Sequence, residues 1–201
     1  MATIHLIRHA RHADYGRVLS GRSDTPLSPE GRAQADALAA SLAPLGLTHL
    51  HTSPRPRAWE TAAAIAAATG VGAEVASGLE EIDFGAWTGR SFDDLGPDPE
   101  WRRWNAHRSQ ARPPGGETQA EATARALAHV AAFATANPDA NAAMVSHADV
   151  IRGVLAHHLG LGLDGILRFD VDAASVSSLA VEPWGVRITG LNVKGWEWKQ
   201  G

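Results

Sequence analysis

Three times along the chain a short apolar run stops abruptly at an arginine or a histidine and gives way to a helical pattern. In the first, Ile4, Leu6 and Ile7 form the kind of run that is buried in a parallel sheet, and Arg8 and His9 follow at once. Neighbouring residues of a strand point to opposite faces, so Arg8 and His9 can serve one site only if the strand ends there. The second run, Leu47 to Thr52, leads through Ser53-Pro54-Arg55-Pro56 to Arg57 at the start of an alanine-rich helix that closes at Gly70. The third, Ala142 to Ser146, ends at His147, and a helix from Asp149 to Leu159 follows. Right-handed crossovers bring such parallel strand ends to one edge of a single sheet, and in open α/β sheets ligands bind at that edge.

The intervening segments fit this frame. Ser28-Pro29-Glu30 is a strong helix start, and Leu38, Leu42 and Leu45 continue the helix until Pro44 and Gly46 disrupt it. A third, short strand is expected over 73–77. A helix bearing Trp101 and Trp104 is expected within 97–112, and a long one over 117–136, closed by Asn137-Pro138. Ser175 to Val181 and Val186 to Val193 flank Pro183-Trp184-Gly185 as an antiparallel hairpin closing one edge. Trp196 and Trp198 alternate on one face of the tail, a pattern that serves packing or a homodimer contact. The expected fold is a single α/β domain over residues 1–201. It is a three-layer α/β/α sandwich whose mostly parallel sheet carries an antiparallel C-terminal edge.

Composition narrows the function. The 201 residues carry 18 basic and 22 acidic side chains, a net of −4, without the basic face that nucleic acid or a membrane surface requires. Cysteine is absent, which removes disulfides, thiolate metal sites and cysteine nucleophiles together. The ten histidines show neither a His-Glu-x-x-His helix nor another ligand spacing, so no metal is expected. With neither signal peptide nor membrane span in view, the expected location is the cytoplasm.

Nearly all the positive charge is arginine, the better bidentate partner for phosphate. Arg8, Arg57, His9 and His147 at one sheet edge, with the Ser20-Gly21-Arg22 loop beside them, make a site for a dianionic phosphoryl group. Glu80 and Glu81 lie among Ile82, Phe84 and Trp87, where a carboxyl would titrate high enough to act as a general acid. Spacing alone does not choose between the two.

The ordered set Leu6-Ile7-Arg8-His9, Ser20-Gly21-Arg22, Pro26-Leu27-Ser28, Ser53-Pro54 with Arg57-Ala58, Glu81 to Gly85, Gly116-Glu117-Thr118 and Val145-Ser146-His147 resembles the histidine phosphatase superfamily, in its phosphoglycerate-mutase-like branch. The resemblance covers most of residues 4 to 152. It implies that His9 is the nucleophile, transiently phosphorylated on a ring nitrogen, and that Arg8, Arg57 and His147 bind the transferring oxygens. It implies Glu81 as proton donor, and Ser20, Gly21, Arg22, His12 and Ala148 as further phosphate or substrate contacts. No cofactor is implied, and the partner is a small-molecule phosphate ester.

The chain departs from the family pattern at Ala10 and Ala148, where glycine is usual. It departs again at Arg11, His12 and Tyr15, where an acid, a hydroxyl and an asparagine are usual. These changes bear on substrate identity more than on catalysis, and His12 is the candidate substitute donor. A phosphatase is favoured over a mutase, whose lid the 97–112 segment looks too short to supply. A protein-phosphohistidine phosphatase and an inactive phosphate-binding protein are the remaining alternatives.

Overall fold

A computed structural model describes residues 1–194; Trp196 and Trp198 lie outside the described residues. The first half contains β1 (Ala2–Arg8), α1 (Pro29–Leu42), β2 (His49–Thr52), α2 (Pro56–Thr69) and β3 (Ala73–Val75). Two helices, α3 (Phe92–Leu95) and α4 (Pro99–Ala106), then lie over the sheet edge. They are followed by α5 (Gln119–Ala136), β4 (Asn141–Ser146), α6 (Ala148–His158), β5 (Ser175–Glu182) and β6 (Gly185–Lys194). The strands form one sheet in the order β3-β2-β4-β1-β5-β6. β1 to β4 run parallel, while β5 lies antiparallel to both β1 and β6.

Side-chain alternation along β1 divides the core. Ile4 and Leu6 pack on one face with Val130 and Phe133 of α5 and Ile151 and Val154 of α6. Ile7 packs on the other with Leu38 and Leu42 of α1 and Ile65 of α2. His5 fills a buried strand position because both ring nitrogens are used, on Ser178 Oγ and Asn141 Oδ1 at 2.9 Å each.

The neighbours β1 and β4 therefore send their chains to opposite faces, β1 toward α1 and β4 toward α6. A crevice opens where neighbouring parallel strands part in this way. His9 and His147 each stand one residue beyond their strand, at that crevice.

Element ends differ from the sequence-based bounds for local reasons. Helix α5 begins at Gln119 rather than Glu117. Thr118 caps it in a capping box with Glu121, which leaves the Glu117 carboxylate outside the helix. The third strand stops at Val75, and a 3₁₀ turn over Ser77–Leu79 follows.

Candidate active site

The crevice holds a cavity of about 390 Å³, into which the end of β1 and the starts of α2 and α6 deliver side chains far apart in sequence. His9 is buried, and its Nδ1 lies 2.8 Å from the Ala10 carbonyl. A carbonyl only accepts, so Nδ1 carries the proton and Nε2 keeps its lone pair. Nε2 accepts from Arg57 Nε at 3.2 Å. Burial, aided by the Arg57 and Arg8 charges, holds the His9 pKa well below its ordinary value, so the ring stays neutral and nucleophilic.

Arg57 is 1% exposed. Helix α2 starts with Pro56, which needs no amide partner there, and this fixes the direction of the next side chain. The guanidinium donates to the carbonyls of Gly21 (2.6 Å) and Ser23 (3.1 Å), and to His147 Nδ1 (3.2 Å) as well as His9. Arg8 donates to the Val171 carbonyl at 2.7 Å, and its buried Nε has no partner. Among the described residues, no carboxylate lies within ion-pair distance of either arginine. Two arginines facing a cavity without a counter-ion are costly unless an anion arrives.

His147 is fully buried, with Nε2 2.7 Å from Ser53 Oγ. A hydroxyl can donate or accept. Nδ1 already accepts from the Arg57 guanidinium, so Nε2 carries the proton and donates to Ser53 Oγ. The N-terminus of α6 opens onto the same place through Ala148, adding the favourable end of a helix dipole.

The structure separates the two carboxylates that spacing left equal. Glu80 turns away and pairs with Arg55 at 2.9 Å. Glu81 lines the cavity, and its Oε1 accepts from the Ile82 amide at 2.9 Å. Burial pushes its pKa up to about 7, against the pull of Arg57. Its Oε2 lies 3.6 Å from His147 Nδ1. Burial and Arg57 hold His147 well below its ordinary pKa, so at neutral pH this contact is no ion pair.

Ser20, Gly21, His12 and Ala148 all line the cavity, but Arg22 does not. The Ser20 hydroxyl and His12 Nδ1 are buried without a partner among the described residues, which leaves both available to a ligand. His12 stays neutral, its pKa lowered to about 4 by burial first and by Arg57. Gly21 takes a positive φ of 46° where a Cβ would meet Thr88 Oγ1 at 2.8 Å, and its carbonyl accepts from Arg57 at 2.6 Å. The structure places Arg22, expected as a phosphate contact, outside the cavity lining. Its guanidinium is drawn off by the Glu81 carbonyl and the carboxylates of Glu80, Asp83 and Glu117.

Sequence reasoning missed the far wall, where Asp149 takes Arg108 at 2.7 Å on one oxygen and Arg152 at 3.2 Å on the other. Burial opposes its ionisation, yet these two guanidiniums keep its pKa below the ordinary value. The i,i+3 spacing of Asp149 and Arg152 on α6 was the one local signal for this group. Tyr15 also forms part of the wall, with the Arg8 and Arg11 guanidiniums 5.1 and 5.2 Å from its ring centre. Ala10 fits without strain, its methyl against Leu27 and Ala35. Among the described residues, no three His, Asp or Glu side chains are placed to hold a metal, and no helix is long and apolar enough to cross a membrane.

Arg57→Lys is expected to cost 10²–10³-fold in kcat/KM, on the order of losing a preorganised oxyanion donor, and to approach the loss in Arg57→Ala. One ammonium cannot reproduce four separate contacts. Steady-state kinetics on an aryl phosphate checks this, and a lysine variant keeping most of its activity would place Arg57 outside the phosphate shell.

Comparison with known proteins identifies the family. Residues 4–194 match the histidine phosphatase superfamily (branch 1). A probable phosphoglycerate mutase, GpmB, of Salmonella newport is 32% identical over 182 residues, covering 89% of this chain and 85% of that protein. The mycobacterial glucosyl-3-phosphoglycerate phosphatase superposes with a TM-score of 0.85 at 25% identity, over 94% of this chain and 98% of that one. The alpha-ribazole phosphatase of Shigella flexneri shares the fold, with a TM-score of 0.85 at 24% identity over 96% of each chain. With both histidines and both unpaired arginines at the crevice where the family match runs, the chain belongs to the histidine phosphatase superfamily, branch 1.

Proposed function

We propose that this chain is a metal-independent phosphomonoesterase that hydrolyses a small phosphorylated metabolite through a phosphohistidine on His9. The observation that carries this reading is the pair Arg8 and Arg57, without counter-ions, around a neutral imidazole whose Nε2 lone pair faces the cavity. In the first step Nε2 attacks phosphorus, and the guanidinium N–H groups turn from His9 and His147 to the equatorial oxygens. Glu81, protonated, gives its proton to the leaving alcohol oxygen. In the second step the Glu81 carboxylate takes a proton from water, which attacks the phosphohistidine and returns the imidazole and free phosphate.

A cavity of about 390 Å³ suits a small ester. The names of its relatives, a probable phosphoglycerate mutase and a glucosyl-3-phosphoglycerate phosphatase, raise the choice between mutase and hydrolase. A mutase must also hold the second phosphate of a bisphosphate. The two arginines of the far wall, Arg108 and Arg152, are already shared by Asp149, which favours hydrolysis. With a metal chelator present and a panel of monophosphates supplied, free phosphate should appear in step with substrate loss and without a bisphosphate primer. Isomer formation outpacing phosphate release would assign a mutase instead.

A further inference from the structure

We propose that Arg22, Arg125 and Glu117 form a clamp on the main chain of Glu81 that sets its carboxyl in place as the proton donor. This rests on the catalytic reading above and adds positioning residues to it. Arg22 Nε and Arg125 Nη2 donate to the same acceptor, the Glu81 carbonyl, at 3.0 and 3.1 Å. Glu117 ties the two guanidiniums together. Its Oε2 takes Arg22 Nη2 at 3.1 Å and Arg125 Nη2 at 3.0 Å, and its Oε1 takes Arg125 Nε at 2.8 Å. The Glu117 amide donates to the Asp83 carbonyl at 2.7 Å, and Arg125 Nη1 donates to the Gly78 carbonyl at 2.9 Å. The loop is thus pinned on both sides of Glu81.

What the clamp grips matters as much as its strength. A guanidinium on the Glu81 carboxylate would favour the ionised form and destroy the acid. Both arginines bind the carbonyl instead, and their charge is met by Glu117. Among the described residues, no arginine nitrogen lies within ion-pair distance of the Glu81 carboxyl, which keeps only its contacts with Ile82 and His147. The arrangement fixes position and leaves the proton in place. Charge-assisted bonds to a shared acceptor are strong enough to hold a loop that has no regular secondary structure over 80–84.

The test compares kcat/KM for an alkyl phosphate with that for a nitrophenyl phosphate, whose leaving group needs little protonation. Arg125→Ala should lower the alkyl value about 10- to 100-fold, a fraction of a full general-acid effect, and the aryl value less than about 3-fold. Glu117→Gln keeps an acceptor and should show a smaller loss in the same direction. It also carries the test if the alanine variant does not fold. Equal losses on both substrates, or no loss on either, would overturn the clamp. Glu81→Gln is run alongside. If it shows no dependence on the leaving group, the catalytic reading has failed; if it does and the clamp variants do not, only the clamp has failed.

Discussion

His9→Ala is expected to abolish turnover, with a loss on the order of the 10⁶-fold that follows removal of a covalent nucleophile. His9 lines the cavity and His147 bonds to Arg57 beside it, and the structure distinguishes the two. The Ala10 carbonyl places the proton of His9 on Nδ1 and leaves the Nε2 lone pair unprotonated. His147 is fully buried and already engaged on both ring nitrogens, accepting from Arg57 on Nδ1 and donating to Ser53 from Nε2. His147→Ala should therefore lose less, about 10²–10³-fold. Among the described residues the His9 side chain bonds only to the Ala10 carbonyl and Arg57, and Arg57 keeps its grip on Gly21 and Ser23 without it. The alanine variant should thus still fold and bind the phosphate ester, which calorimetry with an unreactive substrate would show. Near wild-type turnover in that variant would exclude His9 as nucleophile.

Glu81→Gln is expected to lower kcat/KM for an alkyl phosphate by about 10²–10⁴-fold and for an activated aryl phosphate far less. Glu80→Gln should affect both mildly and alike, because Glu80 is committed to Arg55 outside the cavity. The pH profile carries a second signature. Phosphorylation of the enzyme needs the acid form of Glu81, so kcat/KM for the alkyl ester should fall as pH rises through about 7, and the glutamine variant should lose that limb.

Stability should also fall as pH rises. The folded-state pKa of Glu81 lies above its unfolded value, so ionisation of this buried carboxyl weakens the fold. The penalty is absent below pH 4.5, develops between there and about 7, and is complete above. Glu81→Gln should accordingly melt higher than wild type at pH 8 and alike at pH 4. A flat pH profile with unchanged melting at both pH values would mean that Glu81 titrates as an ordinary surface carboxyl.

Much of this site was legible in the chain because the signals are local. An apolar run broken by Arg8-His9, another by His147, and an arginine next to Pro56 at a helix start each announce a strand or helix end. The parallel topology brings such ends together. Glu81 against Glu80 was not legible from spacing, since adjacent residues differ only in the side to which the loop turns them. The charged Ser-Gly-Arg loop reads as an anion cradle, and the partner that Arg22 has in the fold, Glu117, lies too far along the chain to be seen from that loop. The Arg108–Asp149–Arg152 group escaped because it forms only when the turn after α4 reaches the start of α6.

The most direct test of the account is to mix the enzyme with ³²P-labelled substrate, quench within milliseconds, and ask where the label sits. A covalent intermediate on Nε2 of His9 predicts up to one labelled phosphoryl group per chain, stable in alkali and lost in acid, mapping to the peptide that contains His9, and absent from His9→Ala. An acid-stable label, a label on another residue, or rapid turnover with no labelled protein at any quench time would contradict it.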